Sequence, residues 1–183
     1  ARDGFTLLIL PESLAVSERE QEQIRQFVTG GGRVLADMRC ALMDDHCRRQ
    51  EPPALDDLFG VVRGEATGQP PSLGMTVNAD LGPDATAGTE VKITVPETHL
   101  VTEGARSLGS GVGEAKAPAL LVNDAGKGRA IYLNLDLSQF ENERKFQSST
   151  EKQVQAILLA LLGQVGIAPQ YPVTFESGVA PHV

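Results

Sequence analysis

Residues 4–38 read GFTLLILPESLAVSEREQEQIRQFVTGGGRVLADM, which is a strand–helix–strand pattern. The apolar run at residues 6–10 predicts a strand that is buried on both faces. Ser17, with Glu20 three residues later, forms a capping box and predicts the start of a helix, which three glycines end. Residues 33–38 predict a second strand. Because such crossovers are right-handed, we expect the two strands to be parallel.

The later part of the chain predicts a hairpin and a long helix. Residues 119–135 contain two apolar arms around a glycine-rich turn, which is typical of an antiparallel hairpin. A last helix is predicted to start near Ser148 or Ser149, and apolar residues then recur at helical spacing and form a continuous stripe; they are Val154, Ile157, Leu158, Leu161 and Leu162. These elements predict an α/β fold of the three-layer, flavodoxin-like type, with a mostly parallel sheet and a late antiparallel hairpin.

The middle of the chain predicts less regular structure. Two prolines at residues 52–53 are expected to open a short helix that Gly60 ends. Residues 63–88 are rich in Gly, Pro, Thr and Asp and predict a loop with one short strand near residues 75–77. Residues 91–95 alternate apolar and polar side chains, which indicates a strand with one solvated face. Residues 171–175 predict a strand that leaves the domain.

Composition excludes several classes of function. The chain has 183 residues, of which 41% are hydrophobic, enough for the core of one domain. Its net charge of −8 makes nucleic acid an unfavourable partner, because acidic surfaces repel phosphates. No apolar run is long enough to predict a membrane span. Two cysteines are too few for a disulfide framework.

Four segments resemble, in the same order, the class I glutamine-amidotransferase-like fold; they are residues 4–11, 24–35, 98–104 and 126–133. In the third segment Leu100 stands where the family has proline. The combination is most similar to the trimerisation domain of family 42 β-galactosidases and covers roughly residues 4–169, apart from the loop between residues 63 and 88. The resemblance implies a domain over residues 1–169 and a tail, residues 170–183, that leads to a following domain.

The same resemblance implies the function and the partners. It implies a non-catalytic accessory or oligomerisation domain of a larger, carbohydrate-active protein, in contact with neighbouring domains of the same chain. In that family two strands precede the strand equivalent to residues 6–10. An unpaired apolar edge invites pairing with another chain, so we expect a homo-oligomer.

One cysteine is a weak catalytic candidate. Cys40 follows the second strand, near the position where an amidotransferase-like hydrolase carries its nucleophile. Its neighbours are Arg39 and Ala41, whereas the strained turn around such a nucleophile requires glycines. No histidine follows the late strand to act as a base. The sequence therefore favours a domain without a catalytic centre, with a Cys40-dependent hydrolase as the alternative.

A second alternative is a small-ligand site at the carboxyl edge of the sheet, where open α/β folds bind their ligands. The polar residues expected there are Glu12, Ser13, Arg39, Asn134 and Asp136. A metal site is not predicted, since the group Asp44-Asp45-His46-Cys47 lacks the paired spacing of zinc ligands. The glycine-rich segments do not precede helices in the manner of phosphate-binding loops, so no cofactor is predicted.

Overall fold

The computed structural model describes residues 4–64, 68, 70–82, 85–114, 116–139 and 149–167. The strand predicted at residues 171–175 and the tail at residues 170–183 lie outside these ranges. Within them the chain forms strands β1 Leu7–Leu10, β2 Arg33–Ala36, β3 Val61–Arg63, β4 Met75–Val77, β5 Glu90–Val91, β6 Leu100–Thr102, β7 Arg106–Gly111, β8 Pro118–Ala125 and β9 Gly128–Leu133. The helices are α1 Glu18–Thr29, α2 Asp56–Phe59 and α3 Ser149–Gln164. None of the described helices is long and apolar enough to cross a membrane.

The first strand–helix–strand unit forms as the sequence predicts. Ser17 caps α1, since its hydroxyl accepts the backbone N–H of Glu20 at 3.3 Å and its own N–H donates to the Glu20 carboxylate at 2.9 Å. The strands β1 and β2 are parallel, with Leu7 opposite Arg33 and Leu10 opposite Ala36. The capping box and the glycine-ended helix thus set the direction of the second strand.

The main sheet is mixed and has seven strands in the order β1-β2-β9-β8-β7-β4-β5. Strands β1, β2 and β9 are parallel, whereas β9-β8, β8-β7, β7-β4 and β4-β5 are antiparallel pairs. The predicted α/β class and the late hairpin are confirmed. The antiparallel part is larger than the hairpin alone, because β7, β4 and β5 extend it. Strands β3 and β6 form a separate two-stranded sheet.

Several expectations for the middle of the chain need correction. Strands β3, β6 and β7 lie in segments for which no strand was predicted, and the predicted strand at residues 91–95 is shorter, with β5 ending at Val91. Helix α2 begins at Asp56 and not at the prolines of residues 52–53. These strands are short and pair with distant parts of the chain, so their local pattern carries little signal.

Two apolar clusters lie on opposite faces of the sheet, because successive side chains of a strand point in opposite directions. One cluster contains Ile131 and Leu133 of β9 and the inner face of α3, including Ile157 and Leu161. The other contains Tyr132 of β9 with the buried faces of α1 and α2. The stripe predicted for α3 is therefore confirmed as its buried side.

Candidate functional site

The parallel strands β1, β2 and β9 end at a common edge, which we call the carboxyl edge. A turn follows β2 there, and its backbone is strained, since Arg39 has φ of 63° and Ala41 has φ of 54°. The backbone N–H of Arg39 donates to the Tyr132 hydroxyl at 2.9 Å, which ties this turn to β9. The strained turn thus places the Arg39 side chain at the carboxyl edge.

A buried ion pair lies beside this turn and joins α2 to β3. The Arg63 side chain is 4% exposed and that of Asp56 is 8% exposed. Arg63 Nε donates to Asp56 Oδ1 at 2.7 Å, and the Arg63 backbone N–H donates to Oδ2 at 3.1 Å. Nη2 lies 2.5 Å from Oδ1, an ion-pair contact without the alignment of a hydrogen bond. The same carboxylate therefore binds both the side chain and the backbone of Arg63.

Tyr132 connects this ion pair to a second carboxylate. Its hydroxyl accepts from Arg63 Nη1 at 3.2 Å and donates to Glu97 Oε2. The guanidinium also lies over the tyrosine ring, 5.3 Å from its centroid, and Phe59 packs against the same ring at 5.2 Å. We call Asp56, Arg63, Tyr132 and Glu97 the buried polar cluster.

The Asn134 side chain fixes the position of the Glu97 backbone. Its Oδ1 accepts the Glu97 backbone N–H at 2.9 Å, and its Nδ2 donates to the Glu97 carbonyl at 3.0 Å and to the Pro118 carbonyl at 2.9 Å. Asn134 is completely buried. Its amide is therefore a structural support for Glu97, and its side chain is closed to solvent.

Burial and neighbouring charges set the protonation states of this cluster. Burial raises the pKa of Tyr132 well above its ordinary value, and the Glu97 charge adds to this, so the phenol stays protonated and can donate. Burial alone would lower the pKa of Arg63, but Tyr132, Asp56 and Glu97 together raise it above its ordinary value. Arg63 is therefore charged at every pH at which the domain is folded.

A cavity of about 260 Å³ opens above the buried polar cluster. Its polar lining consists of Arg39, Arg49, Arg63, Glu97, Thr98 and His99. The carboxyl-edge cavity, as we call it, lies where open α/β sheets usually bind ligands. Of the polar residues predicted for this edge, only Arg39 is among those that line it.

The other predicted site residues lie elsewhere along the same edge. Glu12 donates its backbone N–H to Asp37 Oδ1 at 2.7 Å. Ser13 lines a separate groove between β1 and α1, and its carbonyl accepts the Ala41 backbone N–H at 2.8 Å. Asp136 Oδ1 accepts the Ser138 backbone N–H at 3.1 Å, which closes a local turn. The edge was predicted as one pocket, and the structure distributes these residues over several local contacts.

Cys40 lies in the apolar cluster beneath α1. It is fully buried, and burial is the main cause that raises the pKa of its thiol to about 12. Neither described histidine, His46 or His99, donates to it or accepts from it: His46 Nδ1 contacts Asp45 at 2.7 Å and His99 Nε2 contacts Thr98 Oγ1 at 3.0 Å. A thiol in this state is a poor nucleophile at neutral pH.

The two cysteines should differ strongly in reactivity. Both are free, with Cys40 buried and Cys47 exposed. We expect iodoacetamide at neutral pH to modify Cys47 while Cys40 reacts at least about 100-fold more slowly, because only the exposed thiolate is accessible. Peptide mass mapping over a time course measures both rates, and denaturation in urea should make them similar. Equal rates in the folded protein would contradict the buried position of Cys40.

The loop after β2 brings three potential ligand groups together. Ligand atoms of Asp44, Asp45 and His46 lie within 4.8 Å of one another on the surface. The Asp44 carboxylate accepts the backbone N–H groups of His46 and Arg48, both at 2.9 Å. These contacts stabilise the loop itself, and Cys47 is not part of the group.

Comparison with known proteins decides the family. A family model described as the β-galactosidase trimerisation domain matches residues 2–157, most of the chain. The chain belongs to the β-galactosidase trimerisation domain family. Membership confirms the resemblance to the trimerisation domain of β-galactosidases that the sequence indicated. No curated protein gives a significant match to the sequence.

Several solved structures of other proteins share the fold of this chain. The β-galactosidase of Rahnella sp. R3 superimposes with a TM-score of 0.64 and 21% identity, over 91% of this chain and 25% of that one. The β-galactosidase of Bacillus circulans sp. alkalophilus gives 0.64 and 18%, over 90% and 23%. A ThuA-like protein of Bacteroides uniformis gives 0.52 and 14%, over 87% and 70%. The present chain thus spans about a quarter of the length of these β-galactosidases.

Sequence reasoning did not identify the buried polar cluster of this trimerisation domain. Arg63 lies at the start of a segment predicted as loop, and Glu97 lies between a predicted strand and the histidine-containing segment. The available signal was Asp56, an acidic residue in the short predicted helix and next to the apolar residues Leu55 and Leu58. A charge in such a position requires a partner, but the sequence does not say which of 16 basic residues provides it.

Proposed function

We propose that this domain holds together copies of a larger, β-galactosidase-like enzyme and takes no part in bond cleavage itself. The observation that carries the proposal is the match of residues 2–157 to the trimerisation domain family. In this proposal the bonds are cleaved by another part of the parent protein, and the other partners are neighbouring domains of the same chain.

One edge of the sheet supports self-association. Strand β1 is the outermost strand, and β2 is its only partner among the described strands. Ile9, in the middle of β1, is 53% exposed, and Phe5 just before it is also exposed. An apolar edge strand with unpaired backbone groups is a typical surface for contact with another chain.

We also propose that the fold is of the three-layer, flavodoxin-like type, related to class I glutamine amidotransferases. Three parallel strands with α1 and α3 contributing to opposite apolar clusters support this assignment. The proposed domain spans residues 1–169. Under this assignment the carboxyl edge corresponds to the edge at which such folds bind ligands.

The chain should form a trimer in solution. Each copy has a mass of 19.5 kDa, so light scattering after size-exclusion chromatography should give a mass close to three times that value. Because the association is concentration-dependent, the measurement should cover a dilution series. A monomer at every concentration would contradict self-association of this chain.

Exchange of Ile9 for lysine tests the role of β1. A charge on an exposed edge strand prevents edge-to-edge pairing, so Ile9→Lys should shift the trimer towards the monomer. Leu159→Lys is the matched control, since Leu159 is also an exposed apolar residue, at 46%, but belongs to α3 and not to the edge strand. Equal effects of the two exchanges, or none of either, would show that the contact does not use β1.

A further inference from the structure

Glu97 lines the carboxyl-edge cavity, and one oxygen of its carboxylate accepts no hydrogen bond from a described residue. The Glu97 side chain is 15% exposed, and its Oε2 is bound by the Tyr132 hydroxyl and lies 3.5 Å from the Arg39 backbone nitrogen. Its other oxygen, Oε1, accepts no hydrogen bond within the described part of the chain, and Arg63 Nη1 is 3.8 Å away. This cavity-lining carboxylate therefore has an oxygen that can accept a hydrogen bond from a ligand.

The rim of the cavity provides donors. Arg39 is exposed and makes no ion pair with any described residue, so its guanidinium is available. Arg49 also lines the cavity but contacts Glu51 at 3.1 Å. The backbone of Glu97 is held by two hydrogen bonds with the Asn134 side chain. An acceptor that is positioned before binding loses little entropy when a ligand binds.

The mixture of charges selects the class of ligand. Arg49 is paired with Glu51 and Arg63 with Asp56, so the charges that face a ligand are mainly those of Arg39 and Glu97. An anion would be attracted by Arg39 and repelled by Glu97, and a cation the reverse, so neither charge is favoured. A neutral hydroxyl group can donate to Glu97 Oε1, and a neighbouring hydroxyl can accept from Arg39. Cavities that hold drug-sized molecules measure about 300–1,000 Å³. A volume of about 260 Å³ therefore fits one sugar ring and not an oligosaccharide.

We propose that the carboxyl-edge cavity binds a neutral monosaccharide or the end group of a sugar chain, with Glu97 and Arg39 as the groups that recognise its hydroxyls. Binding is reversible and involves no chemical step. The proposal goes beyond self-association and does not depend on it, because ligand binding and oligomer mass are measured separately.

Titration followed by NMR tests this proposal. The labelled chain is titrated with D-galactose, D-glucose and D-mannose, each up to about 100 mM, and with L-glutamine and sodium acetate as zwitterionic and anionic comparisons. We expect saturable shifts of the Arg39, Gly64 and His99 amide signals with at least one sugar. Affinity for that sugar should exceed the affinity for glutamine and for acetate.

Two arginine variants locate the binding. Arg39→Gln should weaken sugar binding about tenfold, since it removes a charged donor. Arg19→Gln is the matched control, because Arg19 is exposed on α1 and does not line the cavity. Circular dichroism checks that both variants are folded. The proposal is overturned if no sugar shifts these signals, if glutamine or acetate binds more tightly, or if the two variants weaken binding equally.

Discussion

Replacement of Asp56 by alanine is expected to lower the free energy of unfolding by about 3–5 kcal/mol. The exchange removes the only carboxylate within 3.5 Å of the Arg63 guanidinium in the described structure, and the Arg63 side chain is almost completely buried. A buried, uncompensated cation is far more costly than a lost surface contact. Urea denaturation followed by circular dichroism at 222 nm measures the effect, since the chain contains no tryptophan.

The neighbouring residue supplies the control. Asp57 also pairs with an arginine, Arg25 at 2.5 Å, but its side chain is exposed. Asp57→Ala should therefore cost no more than about 1 kcal/mol. Equal losses for the two aspartates would mean that burial of the Asp56–Arg63 pair has no energetic consequence, which would contradict the account of this cluster.

A double variant separates two contributions to the free energy of unfolding: the cost of a buried charge without a partner and the net contribution of the ion pair. In Asp56→Leu with Arg63→Met, neither partner of the Asp56–Arg63 pair is left uncompensated, so much of the stability lost in Asp56→Ala should return, less the loss of the Arg63 charge 3.8 Å from Glu97. Tyr132 would lose one donor but would keep its contact with Glu97. If the double variant were less stable than Asp56→Ala, the ion pair itself would be a net source of stability.

Replacement of Gly128 by alanine is expected to destabilise the domain by about 3 kcal/mol or more. Gly128 begins β9 where the hairpin passes the carboxyl end of α1. A Cβ atom there would lie 2.1 Å from the carbonyl oxygens of Val28 and Gly32, both of them backbone atoms. Backbone cannot rotate away as a side chain can, so α1 and the hairpin would have to separate. Thermal unfolding should show a lower Tm.

Gly163→Ala is the control, and we expect it to change the stability of the protein in the opposite direction. Gly163 is exposed near the end of α3, and a Cβ atom there would meet no atom of the described residues within 4 Å beyond its chain neighbours and the adjoining helix backbone. Alanine is a better helix former than glycine, so Gly163→Ala should stabilise the protein by up to about 1 kcal/mol. A destabilised Gly163→Ala variant, or an unaffected Gly128→Ala variant, would contradict these two packing assignments.

Local signals predicted a large part of this fold. The capping box at Ser17 and the glycine turn between β8 and β9 each lie within a few residues of the contacts that they form, and the apolar stripe of α3 is visible from helical spacing alone. The parallel pairing of β1 and β2 follows from a short crossover of fixed handedness. Strands β3 and β6 were not predicted, because each has only three residues and pairs with a segment about 40 residues away in the chain.

The sequence by itself determined the α/β class, the first crossover and the resemblance that led to the family, because all three depend on contiguous residues and their spacing. Only the tertiary structure decided that Asp56, Arg63, Glu97 and Tyr132 meet beneath one cavity and that Cys40 is buried. The physical reason is that ion pairing and desolvation depend on distances between residues that are up to 76 positions apart in the chain. Such distances exist only once the chain has folded.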